Sequence, residues 1–254
     1  MTKYQKLGFA YLGNVNSSSK IAKTNKVLEI DTYCMYLAPS DLSGYNVCAK
    51  ATVECKVGCL NTSGRAIMNQ AYKSFMEARI KKTKFFYEDR NQFNSILFNE
   101  IKNAINRSNK KGKELSVRLN GTSDLSPVLF TVDGVNVLEK FPDIQFYDYT
   151  KILNRVKLAQ KYKNYDLTFS YTGDNWDECL EALNSNVRVA VIFNVHKSKP
   201  LPATFNGFEV IDGDKYDYRP LDGKNVIVGL RWKKIRDKQV NDQIKNSKFV
   251  VQVN

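Results

Sequence analysis

The chain has 254 residues, 43% hydrophobic and 12% aromatic, enough to bury a sizeable core without disulfide staples, so disorder is not expected beyond the ends. Its 39 Lys and Arg against 26 Asp and Glu leave a net charge of +13, which favours anionic partners such as a nucleotide or nucleic acid. The opening MTKYQKLGFAYLGNVNSSSK lacks a signal-peptide core and no segment has the long uncharged run of a membrane span, so a soluble cytoplasmic protein with no membrane partner is expected.

Residues 1–26 read as an irregular N-terminal segment, followed by a short strand over Val27–Asp31. A long loop over 32–64 comes next, punctuated by Pro39, Asp41-Leu42-Ser43-Gly44 and Gly58. From Ala66 to Lys82, Ile67, Met68, Ala71, Tyr72, Phe75, Met76 and Arg79 recur at helical spacing. Asp89-x-x-Gln92 resembles a capping box, and Phe93, Ile96, Leu97, Ile101, Ala104 and Ile105 then mark one face of a second helix that ends at Asn109–Lys113.

Beyond it, Leu115–Leu119, Val135–Phe141, Ile144–Tyr149 and Ile152–Tyr162 alternate short apolar runs with helical patterns. Strands over Asp166–Tyr171, Val187–Val195, Val226–Leu230 and Phe249–Val253 and a helix over Trp176–Leu183 complete the pattern. Such alternation predicts an α/β fold with a parallel sheet, in one domain spanning residues 1–254. A partial or complete (β/α) barrel is expected over a doubly wound sheet, because no G-x-G-x-x-G turn follows the first strand.

Cysteines come after that strand instead: Cys34, Cys48, Cys55 and Cys59 account for four of the five in the chain. In a reducing compartment such clustering points to a metal or iron–sulfur centre, with zinc or free thiols as the other readings. Cys48, Cys55 and Cys59 suit a site of three thiolates, with Cys34 either a fourth ligand or a bystander. Cys179, on the Trp176–Leu183 helix, reads as a small buried residue. His196 is the one histidine, which excludes a two-cysteine, two-histidine zinc site within the chain.

Ligand sites of parallel sheets gather at the carboxyl ends of strands. Here those ends are polar: Asn120-Gly121-Thr122-Ser123-Asp124, Asp148-Tyr149-Thr150-Lys151, Thr172-Gly173-Asp174-Asn175 and His196. The bland reading is that such residues make turns and helix caps. Asp124, Asp148 and Asp174 are the candidate catalytic carboxylates, and they also allow a magnesium-dependent hydrolase. The carboxylates of 205–219, Asp212, Asp214 and Asp217, lack the calcium-loop pattern and read as an Asp-Gly turn between strands, with Arg219 pairing to a carboxylate.

Cys48-Ala-Lys-Ala-Thr-Val-Glu-Cys55-Lys-Val-Gly-Cys59, Val117-Arg118-Leu119-Asn120-Gly121-Thr122-Ser123-Asp124 and Tyr147-Asp148-Tyr149-Thr150-Lys151 together resemble the phage gene product 88-like family, whose arrangement is similar to that of radical-SAM enzymes. The resemblance covers most of the chain. It implies a 4Fe-4S cluster on Cys48, Cys55 and Cys59, with Gly121, Ser123 and Asp124 meeting the methionine moiety of S-adenosyl-L-methionine, in a host cytoplasm. The spacing here departs from the usual C-x3-C-x2-C, and a cluster used for structure or electron transfer fits the same residues. The rival expectation is a basic zinc-bound or metal-free α/β module that binds nucleic acid or a host protein.

Overall fold

The computed structural model describes residues 12–13, 19–59, 72–235 and 237–253. In chain order the elements are α1 (Ser19–Leu28), β1 (Ile30–Cys34), α2 (Val53–Val57), α3 (Tyr72–Glu88), α4 (Arg90–Asn109), β2 (Glu114–Arg118), β3 (Thr131–Val132), β4 (Val135–Asn136), α5 (Val137–Lys140), β5 (Gln145–Thr150), α6 (Val156–Lys161), β6 (Tyr165–Ser170), α7 (Trp176–Asn184), β7 (Arg188–Phe193), β8 (Thr204–Phe205), β9 (Phe208–Asp212), β10 (Ile227–Arg231), α8 (Lys238–Lys245) and β11 (Val250–Val251). The chain divides into two compact units, residues 1–49 with 73–148 and residues 50–72 with 149–254.

In the first unit β1 pairs in parallel with β2 from Ile30↔Glu114 to Cys34↔Arg118, and β2 pairs with β5 at Val117↔Phe146. All five residues of β1 are buried, as expected of a strand covered on both faces. Helix α4 starts at the Asp89 cap, whose side chain accepts from Gln92 N, and buries Phe93, Leu97, Phe98, Ile101 and Ala104. Each fully buried Phe, Leu or Ile among them contributes roughly 1.5–3 kcal/mol. Phe85 and Phe86 of α3 meet Phe93 edge to face at 5.5 and 5.3 Å.

In the second unit β7 pairs in parallel with β6 and β10, and β10 with β9. The short β11 adds to β7 at Ile192 and Phe193. Asn206 and Gly207, both at positive φ, turn the β8–β9 hairpin, whose strands pair Phe205↔Phe208. Arg188, fully buried at the start of β7, grips Asp166 through Nη1 at 2.6 Å and Nη2 at 3.1 Å. Its guanidinium also donates to the Asp222 and Gly223 carbonyls, and Lys224 reaches Asp166 from the solvent side.

These elements confirm a mixed α/β fold with parallel strands and correct several details. Residues 19–26, expected to be irregular, belong to α1, which runs through Val27 and Leu28 before Glu29, at φ 54, turns the chain into β1. The first strand is therefore Ile30–Cys34, and Cys34 ends it instead of opening the loop. Within the 32–64 loop, α2 is helical. The start of the expected Ala66–Lys82 helix lies outside the described residues; α3 continues to Glu88, and its buried face is Lys82, Thr83, Phe85 and Phe86, whereas Phe75 is exposed. No closed barrel is found among the described residues: β9 is flanked by the antiparallel β8 where a barrel needs a further parallel strand. No described helix is long and apolar enough to cross a membrane.

Candidate functional site

In the first unit the parallel register brings the carboxyl ends of β1 and β2 side by side, and pairing continues beyond them. Met35 N donates to Arg118 O at 2.9 Å and Gly121 N to Met35 O at 2.9 Å. The polar run Asn120–Asp124 therefore starts from a fixed point. Its shape is set by Asn120, whose Nδ2 donates to Leu125 O (2.9 Å) and to Asp148 Oδ2 (2.8 Å). Asn120 Oδ1 accepts from Ser123 Oγ and Leu125 N, both at 2.8 Å. Asp148, 2% exposed, also accepts from Asn120 N at 3.0 Å, so it braces the turn from beneath.

Gly121 is required by close approach. A Cβ there would stand 2.6 Å from the Tyr36 ring and 2.7 Å from Cys34 Sγ. Thr122 Oγ1 donates to Leu37 O at 2.6 Å, and Asp124 N to Val47 O at 2.8 Å, which fastens the turn to the segment that carries Cys48. Of the three residues assigned to cofactor contact, Gly121 and Ser123 are buried and Asp124 is half-buried.

The cysteines fall into two kinds. Cys34, wholly buried, points its thiol at Met35 O over 3.8 Å and packs against Gly121. Cys48 is half-buried, with Sγ 3.8 Å from Thr122 O and its own N–H donating to Asn46 Oδ1. Its surroundings are pinned by Tyr45 and Tyr87, whose rings stack at 4.4 Å, and by Tyr87 Oη donating to Asn46 O. Burial raises the Tyr87 phenol above its ordinary value; Arg90 opposes this and Cys48 adds to it.

In the second unit Thr52 caps α2, its Oγ1 accepting from Cys55 N at 3.2 Å. Cys55 packs with Trp232, Ile235 and Val240 against Ile244, Phe249 and Val250. Since Trp232 directly follows β10, Cys55 lies at the carboxyl end of that strand. Gly58 caps the helix, and a Cβ on it would stand 2.8 Å from Glu54 O and 3.4 Å from the Trp232 ring. Cys59 follows, half-buried. No disulfide joins any of the five thiols, and no group of three or more Cys, His, Asp or Glu side chains is gathered tightly enough to hold a metal among the described residues.

The remaining candidates have structural partners. Asp174 is exposed and bonds Lys248 Nζ at 2.6 Å, beside Gly173, whose φ of 107 lets it lie against the Lys248 backbone. Asp212 and Asp214 are clamped by Arg231 Nη1 at 2.9 and 3.4 Å. Burial works to raise the Asp212 carboxyl, but the hydrogen bonds from Arg231 and the Asp214 backbone hold it below its ordinary value. Arg219 pairs with Asp222 at 2.9 Å, and the expected Asp-Gly turn follows β9, closed by Lys215 N donating to Asp212 O at 3.4 Å, while a second turn, Asn206-Gly207, precedes that strand. His196 is exposed, with Nδ1 2.7 Å from Ser198 Oγ. Cys179 is buried, and burial pushes its thiol up to about 12.

Sequence reasoning missed Lys82. It is 7% exposed on the inner face of α3, and burial, with Arg79 second, lowers its pKa to about 8 against the opposing pull of Cys34 and Glu100. The available signal was its helical spacing from Arg79 and Phe86, which places it on the apolar stripe.

The family model described as Gene product 88 matches residues 10–252, and the chain belongs to that family. No curated protein and no solved structure matches the chain.

Proposed function

We propose that this member of the gene product 88 family is an iron–sulfur protein of radical-SAM type, with Cys48, Cys55 and Cys59 as cluster ligands and the Asn120–Asp124 turn as the seat of S-adenosyl-L-methionine. The observation that carries the reading is the Cys48 thiol resting on the Thr122 carbonyl at the carboxyl ends of parallel strands. That contact ties a thiol to the turn assigned to the cofactor. By residue type the donors suit the group: half-buried cysteines outside any disulfide offer soft thiolate ligands of the kind that iron–sulfur clusters take. Cys34 is left out of the proposed set, since its buried thiol turns to Met35 O and packs against Gly121.

When bound, the cluster supplies one electron for cleavage of the cofactor. The chain's own contribution is placement. Asn120 and Asp148 hold the turn rigid, Gly121 leaves room for the Tyr36 ring and the Cys34 thiol to pack against it, and the Asp124 carboxylate suits an ammonium group.

The test is anaerobic purification with iron, acid-labile sulfide and zinc measured per chain. Matched iron and sulfide in the wild type, lost on changing Cys48, Cys55 or Cys59 to Ala and retained in Cys34→Ala, is the expected result. Zinc without sulfide, or a variant at Cys55 that keeps full iron content, overturns the assignment.

A further inference from the structure

The carboxyl ends of β6, β7 and β10 carry a second feature, which the cysteine reading does not use. Tyr171, Trp176, Phe205 and Phe208 are half-buried and form one aromatic cluster on fully buried Phe193. Trp176 meets Phe205 at 5.4 Å, Phe208 at 6.2 Å and Tyr171 at 6.2 Å, and Phe193 meets Phe205 at 5.6 Å. The last contact closes the base of the loop 194–203, which carries exposed Lys197 and Lys199. Arg231, the last residue of β10, donates to Lys199 O at 3.1 Å, so exposed Lys233 and Lys234, just beyond it, share the edge.

Charge on this edge is unbalanced. Arg231 neutralises Asp212 and Asp214, and Lys248 neutralises Asp174, while the described ion pairs engage none of Lys197, Lys199, Lys233 or Lys234. Asp177 and Glu178 oppose the four lysines from the first turn of α7.

We infer that this edge binds single-stranded nucleic acid, with bases stacked on the Trp176 cluster and phosphates held by the lysines. Half-buried aromatic rings beside exposed lysines offer the recognition chemistry of unpaired strands, because a duplex keeps its base faces to itself. The site uses no cysteine, so it stands or falls independently of the cluster.

Fluorescence anisotropy with a labelled oligothymidylate, on the full chain whatever its metal content, tests this. Trp176→Ala should weaken binding by about 5- to 100-fold with an unchanged salt slope, and Trp176→Phe should restore most of it. Lys197→Gln with Lys199→Gln should reduce the slope of log affinity against log salt by about 1.4, or 0.7 per phosphate contact. Should Trp176→Ala fail to fold, quenching of Trp176 emission by the strand in a Trp232→Phe background replaces it. Equal binding by Trp176→Ala, an unquenched Trp176, or competition by heparin as effective as by the strand overturns the inference and leaves general attraction of polyanions.

Discussion

Replacing Asn120 by alanine should dismantle the turn after β2. The side chain donates to Asp148 Oδ2 and Leu125 O and accepts from Ser123 Oγ and Leu125 N, all at 2.8–2.9 Å and all in buried surroundings. Alanine removes these bonds, depriving the Leu125 N–H of its acceptor and the buried Asp148 carboxylate of a donor. An ordinary hydrogen bond nets about 1 kcal/mol, one to a charged group about 1.5–3 kcal/mol, and a buried group left unmatched costs about 1–3 kcal/mol. Because the bonds share a centre they do not add, and the expected loss is about 3–5 kcal/mol. With a urea slope of about 2–3 kcal/mol/M, the midpoint should fall by about 1–2 M. Hydrogen exchange at Leu125 should accelerate more than exchange in β1. Asp148→Asn keeps the shape but turns one acceptor into a donor facing Asn120, and should cost about 2 kcal/mol. An Asn120→Ala variant within about 0.5 kcal/mol of wild type, with Leu125 still protected, refutes the claim that this network holds the turn.

Arg188→Met should cost about 3–5 kcal/mol by thermal or urea unfolding, since it leaves Asp166 buried with Lys224 alone. The double variant Arg188→Met/Asp166→Leu should recover more than half of that loss, and a double variant as damaged as the sum of its singles contradicts the ion-pair account. Lys82 reverses the usual benefit of a charge. As pH falls from 10.5 to about 8 the unfolded chain takes up the proton while native Lys82 stays neutral, so stability drops through that window and levels off below it. At about 1.4 kcal/mol per unit the deficit at neutral pH is on the order of 3 kcal/mol, and Lys82→Met should relieve much of it. The gain should vanish above pH 10.5; a variant less stable than wild type at pH 7 disproves this reading.

Part of the fold could be read from apolar runs. The expected strand Asp166–Tyr171 is Tyr165–Ser170, and the expected helix Trp176–Leu183 is Trp176–Asn184, because strands and helices with buried faces reveal themselves by continuous or 3.6-spaced hydrophobicity. The helix Ser19–Leu28 escaped notice because it is mostly polar and has only a narrow buried face at Ile21, Thr24 and Asn25. Arg188 was hidden for the opposite reason: a charged residue at the head of an apolar strand reads as the solvent boundary, yet it is fully buried. The Asn206-Gly207 turn was present in the sequence as a standard hairpin signal beneath the more conspicuous carboxylates after it.

For the site, the sequence by itself determined the chemistry on offer: four clustered thiols, polar residues after four of the expected strands, and an excess of 13 positive charges. It could not apportion that chemistry. That Cys34 is enclosed while Cys48 rests on Thr122, and that Asp148 spends its carboxylate on a backbone 28 residues away, was decided by the register of β1, β2 and β5. A hydrogen bond acts over about 3 Å, and only the tertiary structure brings such distant residues within that range.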